Sequence, residues 1–288
     1  MRPSTVDVLT RAGLDPDHVE DVINRALAED RPGVDVTSGA TIPPDQVDTA
    51  DIVARADGVL AGIPIVAAVF DDLDIHLSTK DGERIHRGDI LATITGTTIA
   101  LLTAERTALN LLCHLSGIAT LTARWVAAVA GTGARIRDTR KTTPGLRHLE
   151  KYAVRCGGGT NHRLSLSDQA LIKDNHILAA GGVVEAYTAV RARYPDLPIE
   201  VECATLDQVR AVIAAGADLI LLDNMPIETM AEAVQIARPH QVRLEASGNL
   251  RLDNARAVAE TGVDYLSIGA LTHSAPVLDI ALDLRSRA

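Results

Sequence analysis

Six candidate strands lie between residues 135 and 268, and polar residues lie at the end of each. In chain order these residues are Asp138, Thr139, Arg140 and Lys141; Lys173; Glu202; Asp223; Ser247, Gly248 and Asn249; and Ser267, Ile268 and Gly269. The carboxyl ends of parallel strands gather at one rim of an α/β barrel, which is where such enzymes hold their active sites. Two lysines, an arginine and several carboxylates on one rim predict a site for an anionic substrate.

The last two of these groups are loops of small residues that precede predicted helices. Small residues let backbone N–H groups approach a phosphate at a helix N-terminus, and barrel enzymes often bind phosphate after their last strands. Residues 247–249 and 267–269 are therefore predicted phosphate-binding loops. The chain has neither a P-loop nor a Rossmann glycine motif after an early strand, which argues against a mononucleotide kinase and a dehydrogenase.

Glu202 and Asp223 form a pair of carboxylates beside the predicted phosphate loops. Proteins usually hold Mg²⁺ with one or two carboxylates together with phosphate oxygens of the substrate, so the pair predicts a magnesium site. Zinc fits less well, because no His/Cys cluster has ligand spacing. The nearest candidates, His162 and His176, lie fourteen residues apart in the sequence.

Positive charge is concentrated in residues 135–176, which contain nine Lys and Arg residues against four Asp and Glu. This segment is either a site for anions or a solvated basic face. The whole chain has a net charge of −10, which argues against a nucleic-acid-binding protein. Six aromatic residues are also too few for a base-stacking platform.

The sequence gives no sign of a membrane span or of export. It has no apolar run of about 18 residues, and its first 21 residues have no apolar signal-peptide core. Three cysteines without a CxxC pair indicate reduced thiols. We therefore expect a cytoplasmic protein.

Alternating strands and helices after residue 134 predict an α/β fold with a parallel sheet. The six strands are expected at 135–139, 170–173, 199–203, 219–222, 242–246 and 265–268, with helices at 183–194, 206–215, 227–237 and 252–261. Because a full barrel has eight strands, we expect an open, incomplete barrel. Within the third strand we expect Glu200 and Glu202 to point to opposite faces.

The first half of the chain has a different pattern. We expect a helix over 9–30, a strand over 49–54, and a turn–strand–turn–strand unit over 81–94 that resembles half of a lipoyl-type hammerhead. No lysine with methionine neighbours is present to carry a cofactor. A long helix over 102–120 continues to residue 130. We predict an N-terminal α/β sandwich domain over 1–116 and a barrel domain over 117–288, with a C-terminal helix from about Pro276 that packs back on the first domain.

Eight motifs across nearly the whole chain resemble quinolinate phosphoribosyltransferase, a type II phosphoribosyltransferase also called nicotinate-nucleotide pyrophosphorylase (carboxylating). The longest is Asp-Thr-Arg-Lys-Thr-Thr-Pro-Gly-Leu-Arg at 138–147. The others are residues 105–110, 115–120, 150–154, 157–163, 171–176, 221–224 and 269–274. The resemblance implies that quinolinate and phosphoribosyl pyrophosphate (PRPP) become nicotinate mononucleotide, pyrophosphate and CO₂, with Mg²⁺, in NAD synthesis.

The resemblance also implies roles for individual residues. Arg106, Arg140, His162 and Arg163 would bind the dicarboxylate, beside Thr139. Lys141 and Lys173 would face PRPP and the reacting centre, and Glu202 and Asp223 would hold the ribose hydroxyls and the metal. The family works as a dimer, so Arg106 would come from the neighbouring subunit of a homodimer or a higher assembly.

Two positions depart from the family pattern, and two other functions compete with the main one. Asn249 stands where a second glycine is expected, and Cys203 where a β-branched residue is commoner. A paralogous, molybdenum-locus member of the same fold would act on another substrate. A non-catalytic metabolite-binding module would not need Lys141, Lys173 and the two carboxylates on one rim.

Overall fold

The computed structural model describes residues 1–30 and 35–285. It divides into two compact units, each made of separate stretches of chain. The first unit contains Met1–Ala123, Thr142–Gly158 and Thr272–Ala288, and the second contains Arg124–Lys141 and Gly159–Leu271. The units therefore interleave along the chain, and the boundary after residue 116 stays a prediction.

Six helices begin in the first unit: α1 (Pro3–Arg11), α2 (Pro16–Asp30), α3 (Val36–Thr41), α4 (Ile63–Val69), α5 (Thr98–Ala128) and α6 (Arg147–Cys156). The single helix predicted over 9–30 is wrong, since α1 and α2 are separate. Gly13 has a positive φ of 73°, and Pro16 cannot donate the hydrogen bond that a continuing helix would need. Proline at the first helical position instead begins α2.

Four antiparallel strands form the sheet of the first unit, in the order β12-β1-β5-β3. They are β1 (Val47–Ala54), β3 (Asp74–Leu77), β5 (Ile90–Thr97) and β12 (Ile280–Leu284). Two short strands, β2 (Gly58–Val59) and β4 (Arg84–Ile85), form a separate pair. The strand predicted over 49–54 and the two predicted within 81–94 are confirmed.

The predicted C-terminal helix is wrong, because residues 280–284 form a strand that pairs with β1 from Ala50 to Ala54. The reason is visible in the sequence. Apolar residues at 278, 280, 282 and 284 alternate with Asp279 and Asp283, which is the period of a strand and not of a helix. Leu278 and Ile280 are buried in the apolar core of the first unit.

Helix α5 supplies much of that core through Leu101, Ala108 and Leu112, each at most 1 % exposed. By length and composition alone α5 is apolar enough to cross a membrane. Half of its most apolar window is buried inside the structure, however, as expected for the core helix of a globular unit.

The second unit contains six parallel strands: β6 (Arg135–Arg137), β7 (Ala170–Ile172), β8 (Ile199–Cys203), β9 (Leu219–Asp223), β10 (Arg243–Ser247) and β11 (Tyr265–Ser267). Their order is β6-β11-β10-β9-β8-β7, which is the cyclic order of a barrel with a gap between β6 and β7. A single bridge from Arg137 to Thr160 lies beside that gap. The predicted open, incomplete barrel is confirmed.

Helices connect these strands, as the right-handed β-α-β pattern requires. They are α7 (Asp174–Ala180), α8 (Val183–Arg193), α9 (Leu206–Ala214), α10 (Ile227–Ala237) and α11 (Ala255–Glu260), followed after β11 by the short α12 (Ala270–His273). The loop after β10 therefore runs through a turn before its helix, whereas the loop after β11 leads directly into one.

Candidate active site

The register of the sheet aligns four strand ends in the second unit. Asp223 pairs with Ser247, Ser247 with Ser267, and Ser267 with Arg137. Side chains at one level of parallel neighbours point to the same face. The structure thus brings Asp223 and the first residues of both predicted phosphate loops side by side.

Glu202, Asp223 and Lys173 form a charged group at this edge, which we call the rim set. Burial raises the pKa of the half-buried Glu202 carboxyl, and the nearby Asp223 charge raises it further, while the Lys173 ammonium opposes the shift. Two carboxylates that repel each other are stabilised by a cation placed between them. The pair is therefore suited to Mg²⁺.

Lys173 occupies the N-cap position of α7, and its side chain is exposed. Its backbone N–H donates to His176 Nδ1 at 3.0 Å, so the imidazole satisfies one of the free donors at the start of that helix. This local bond fixes the backbone from which the lysine side chain extends.

A second group of polar residues lies deeper in the barrel and is almost fully enclosed. This deep cluster consists of Arg137, His162, Gln169, Glu200 and Glu245. Arg137 Nη1 lies 2.5 Å from Glu245 Oε2, and His162 Nε2 lies 2.8 Å from Glu200 Oε2 and 3.7 Å from Glu245 Oε1. Both glutamates are fully buried.

Burial raises the pKa of both glutamates in the deep cluster. The pKa of Glu245 rises to about 7, first through burial and then through the neighbouring Glu200 charge, while His162 and Arg137 oppose the shift. The pKa of Glu200 is also raised by burial. Burial of two neighbouring carboxylates favours a proton on one of them.

His162, Glu200 and Glu245 place three potential ligand atoms within 4.8 Å of one another, the spacing of a metal site. The hydrogen bonds do not fit one. Arg163 N–H donates to His162 Nδ1 at 2.7 Å, so the neutral imidazole carries its proton on Nε2, the atom that faces the carboxylates. A protonated Nε2 cannot bind a metal, and Arg137 already neutralises Glu245.

The deep cluster corrects one sequence-based expectation. Glu200 and Glu202 lie two residues apart in β8 and therefore share one face, so their assignment to opposite faces was wrong. His162, predicted to bind substrate, lies in the deep cluster with its two ring nitrogens next to Arg163 N and Glu200 Oε2. Its contact with substrate stays a prediction.

Arg140 and Arg163, two of the predicted carboxylate-binding residues, are electrostatic neighbours. Burial lowers the pKa of Arg163, and the Arg140 charge lowers it further. The Nη1 group of Arg163 donates to the Gln169 carbonyl at 3.0 Å, while its buried Nε has no hydrogen-bond partner within residues 1–30 and 35–285. Two adjacent guanidinium groups repel each other, and a dianion would relieve that repulsion.

Thr139 and Lys141 lie in the loop after β6. The hydroxyl of Thr139 accepts a hydrogen bond from the Lys141 backbone N–H at 3.0 Å, which shapes the turn, and the Lys141 side chain is exposed. An exposed ammonium at a strand end is available to an anionic ligand.

The loop after β10 takes up backbone conformations that glycine or asparagine tolerates. Gly248 has a φ of 85° and Asn249 a φ of 53°, and Asn224 on the neighbouring loop also has a φ of 53°. A side chain on Gly248 would collide with Asn224, since a Cβ there would lie 2.1 Å from Asn224 Oδ1. Asn249 thus fits the place of the expected glycine, because asparagine is enriched among non-glycine residues at positive φ.

The asparagines also form a chain of hydrogen bonds that reaches Asp223. Asn249 Nδ2 donates to Asn224 Oδ1, and Asn224 Nδ2 donates to Asp223 Oδ2, each at 3.0 Å. The departure from the family pattern therefore adds a contact to the loop without distorting it.

The loop after β11 contains Ser267, Ile268 and Gly269. Ile268 N–H donates to the Arg137 carbonyl at 2.9 Å and extends the sheet, so it is not free to bind a phosphate. The Ser267 hydroxyl donates to the Ala246 carbonyl at 3.4 Å. Of the three, Gly269 is the partly exposed residue at the start of α12.

Arg106 belongs to the first unit, whereas the other predicted site residues belong to the second. It lies on α5 with an exposed side chain, and its Nη2 is 3.6 Å from Glu105 Oε1. That ion pair is exposed and contributes little stability. The guanidinium is therefore available for another partner.

Sequence reasoning missed the deep glutamates and Gln169 as parts of the site. The spacing of Glu200 and Glu202 could have revealed Glu200, because alternate residues of a strand share a face. Glu245 lies two residues before Ser247 in β10 and gives the same signal. Gln169 carries no such signal, since it precedes its strand.

Comparison with known proteins agrees with this geometry. The family model for the C-terminal domain of quinolinate phosphoribosyl transferase matches residues 118–283, and the model for the N-terminal domain matches residues 35–116. The chain is 53 % identical over 277 residues to a nicotinate-nucleotide pyrophosphorylase [carboxylating] of Mycobacterium leprae, covering 93 % of this chain and 98 % of the relative. A probable enzyme of the same name from Bacillus subtilis is 44 % identical over 268 residues, covering 91 % of this chain and 92 % of the relative.

Solved structures are similar over nearly the full length. The nicotinate-nucleotide pyrophosphorylase of Francisella tularensis superimposes with a TM-score of 0.91 at 37 % identity, covering 94 % of this chain and 98 % of that one. NadC from Streptococcus pyogenes gives a TM-score of 0.89 at 39 % identity, covering 95 % of this chain and 99 % of that one. With both domain models and these relatives matched, the chain belongs to the quinolinate phosphoribosyltransferase family.

Proposed function

We propose that the protein transfers the phosphoribosyl group of PRPP to quinolinate with loss of CO₂, giving nicotinate mononucleotide and pyrophosphate for NAD synthesis. The observation that carries the proposal is the mutual electrostatic influence of Arg140 and Arg163, which belong to the same unit as the rim set. Two adjacent guanidinium groups fit two carboxylates, and the rim set fits a ribosyl diphosphate with its metal.

Quinolinate binds through its carboxylates. The guanidinium of Arg163, which is anchored by the bond from Nη1 to the Gln169 carbonyl, takes one carboxylate. Arg140 takes the neighbouring carboxylate, and the Lys141 ammonium adds a third positive charge. Relief of the repulsion between the two arginines contributes to the affinity for a dianion over a monocarboxylate.

PRPP binds along the row of strand ends. Its 5′-phosphate lies against Ser247, Gly248 and Gly269, where small residues leave room for it. Glu202 and Asp223 would hold the ribose hydroxyls and Mg²⁺, and the metal would supply positive charge for the departing pyrophosphate. The Lys173 ammonium supports the same charge from the start of α7.

The carboxylates of the rim set also act on the ribosyl centre. As the bond to pyrophosphate breaks, positive charge develops on the sugar ring, and the negative charge of Glu202 and Asp223 stabilises it. When the ring nitrogen of quinolinate has bonded to the sugar, loss of CO₂ leaves an electron pair on the ring carbon. The cations Lys141 and Lys173 stabilise that pair until it takes up a proton.

Incubation with quinolinate, PRPP and Mg²⁺ tests the proposal, with CO₂ and nicotinate mononucleotide as the readouts. The expected result is equimolar release of both, and no reaction with nicotinate in place of quinolinate. A paralogue that acts on another substrate would release no CO₂ from quinolinate, and a metabolite-binding module would bind a ligand without turnover.

Asp223→Asn tests the metal role within the same assay. The variant keeps the acceptor for Asn224 but loses a negative charge, so the Mg²⁺ concentration and the PRPP concentration needed for half-maximal rate should both rise. The KM for quinolinate should stay close to that of the wild type. The opposite pattern, with quinolinate binding lost and PRPP binding retained, would reverse the assignment of the two ends of the site.

We also propose that the enzyme acts in the cytoplasm as a homodimer in which Arg106 completes the site of the neighbouring subunit. Arg106→Ala and Lys173→Ala should each be nearly inactive alone. After exchange of subunits, a heterodimer has one intact site and one site with both defects. Random mixing gives about half heterodimers, so activity should recover to about a quarter of the wild-type sites. No recovery after proven exchange would place Arg106 in its own subunit's site or in none.

A further inference from the structure

Four residues of the second unit form a closed ring of hydrogen bonds behind Arg163. Arg163 N–H donates to His162 Nδ1 at 2.7 Å, and His162 Nε2 lies 2.8 Å from Glu200 Oε2. Gln169 Nε2 donates to the same Glu200 oxygen at 3.0 Å. Arg163 Nη1 donates to the Gln169 carbonyl at 3.0 Å and closes the ring.

The ring holds Arg163 at both ends, through its backbone N–H and through its guanidinium. The bond to His162 Nδ1 fixes the imidazole tautomer with its proton on Nε2. The Nε2–H group then donates a hydrogen bond to Glu200. Each bond therefore depends on the correct donor or acceptor at the next one. A change at Gln169 or Glu200 reaches Arg163 through His162 or through the Gln169 backbone.

Burial makes the ring rigid. Glu200 is fully buried, and Gln169 and His162 are each 8 % exposed. A broken bond would leave a buried polar atom without a partner, which costs more than a water-exposed bond contributes. The guanidinium of Arg163 consequently keeps one orientation, and it is the group that the proposed function assigns to a substrate carboxylate.

We propose that Gln169 and Glu200 are positioning residues that set the orientation of Arg163 toward the carboxylate of quinolinate. The inference rests on the proposed role of Arg163, and neither residue touches the substrate itself. It predicts a selective effect, because the ring holds Arg163, which the proposed function assigns to quinolinate and not to PRPP.

Gln169→Leu is the first test, since it removes the amide while the backbone carbonyl that binds Arg163 remains. The KM for quinolinate should rise about tenfold, the effect of one lost buried hydrogen bond, while the KM for PRPP changes less than about twofold. Glu200→Leu should give a larger rise in the same KM. Arg163→Lys provides the reference for loss of the fork.

Glu200→Gln is the conservative rescue. An amide oxygen in the place of Oε2 can accept from both His162 and Gln169, and the amide NH₂ takes the place of Oε1, a buried atom with no hydrogen-bond partner among residues 1–30 and 35–285. The quinolinate KM should return to within about twofold of the wild type. Nitrogen NMR of the His162 ring should report the Nε2–H tautomer in the wild type and in Glu200→Gln, but a changed ring signal in Glu200→Leu.

Tyr187→Phe is the control, because it deletes the hydrogen bonds of a hydroxyl in the same unit, which donates to the Gly216 carbonyl at 2.7 Å and accepts from Arg191 Nη2 at 3.4 Å. It should lower the unfolding midpoint as Gln169→Leu does, with both KM values unchanged. Equal changes in both KM values, or an unchanged quinolinate KM in folded Gln169→Leu, would overturn the positioning role. Failure of the wild type itself to use quinolinate would instead overturn the proposed function on which it rests.

Discussion

Glu200 and Glu202 lie two residues apart in one strand and face the same side of the sheet, yet their surroundings differ completely. Glu200 is fully buried against His162 and Gln169, whereas Glu202 is half-buried beside Asp223 and Lys173. A shift of two residues along β8 thus separates the enclosed carboxylate of Glu200 from the partly exposed carboxylate of Glu202. Depth along a barrel strand therefore separates a carboxylate enclosed by other side chains from an identical one that the proposed function assigns to the reaction.

The comparison extends to the whole deep cluster and the whole rim set. Charges in the deep cluster are matched by the contacts of Arg137 with Glu245 and of His162 with Glu200, so their removal should affect stability. Charges in the rim set are partly solvated and repel each other in part, so their removal should affect turnover. Four variants test this division.

Glu245→Ala should have the largest effect, a loss of about 3–5 kcal/mol in the free energy of unfolding, because it leaves Arg137 buried without its partner. Arg137 is 13 % exposed and cannot turn easily to solvent. Urea unfolding at pH 7 measures the loss. Glu245→Gln keeps an oxygen for Arg137 and should lose much less, and equal losses in the two variants would contradict the ion-pair explanation.

Lys173→Ala should lower turnover by about 2–4 kcal/mol in transition-state stabilisation, the effect of removing one preorganised charge. The side chain is exposed, so the free energy of unfolding should stay within about half a kcal/mol of the wild type. Steady-state kinetics at saturating substrates and urea unfolding give the two values. Near-native turnover would remove Lys173 from the rim set's chemistry.

The pH dependence of stability should differ between wild type and Glu245→Gln. The pKa of Glu245 is raised from its ordinary value of 4.5 to about 7 among Glu200, His162 and Arg137. Between these values the folded protein holds a proton that the unfolded chain has lost, so the free energy of unfolding falls as pH rises from about 4.5 to 7.

Glu245→Gln removes this titration. As pH rises across that range, the free energy of unfolding of the wild type should therefore fall relative to that of the variant. Urea titrations at pH 5, 6, 7 and 7.5 would follow it. A difference that stays constant with pH would show that the proton of the deep cluster is not on Glu245.

Asn249→Gly should have the smallest effect. Glycine accepts the φ of 53° at this position but loses the hydrogen bond to Asn224, so the KM for PRPP should rise only about twofold to threefold. Gln241→Gly is the matched control, with a φ of 57° and an exposed side chain outside the site. An equal change in the control would show that the effect comes from backbone freedom and not from the lost contact.

Much of the barrel could be predicted because buried parallel strands are short apolar runs with polar ends. All six predicted strands are confirmed, and the helix over 227–237 has the predicted bounds. The errors came where a local signal was overridden or misassigned. Gly13 and Pro16 divide the first predicted helix, and the alternation after Pro276 was assigned to a helix although its period is two.

The site was predicted less completely, for a physical reason. Residues at strand ends can be recognised from their position in the sequence, and Lys173, Glu202 and Asp223 were predicted in this way. The ring behind Arg163 depends on contacts between a loop residue, Gln169, and a strand residue, Glu200, across the fold. No spacing in the sequence encodes that contact, and only the tertiary structure displays the tautomer of His162.

The pairing of β12 with β1 has a consequence for biosynthesis. The ion pair of Arg55 with Asp283 joins residues 228 positions apart, and β1 has β5 on one side and β12 on the other. During translation, β1 and β5 leave the ribosome long before β12 does, so one edge of β1 has no partner while the barrel strands emerge. An unpaired strand edge can pair with the same edge of another chain. This topology therefore requires that the free edge of nascent β1 be protected until β12 is synthesised.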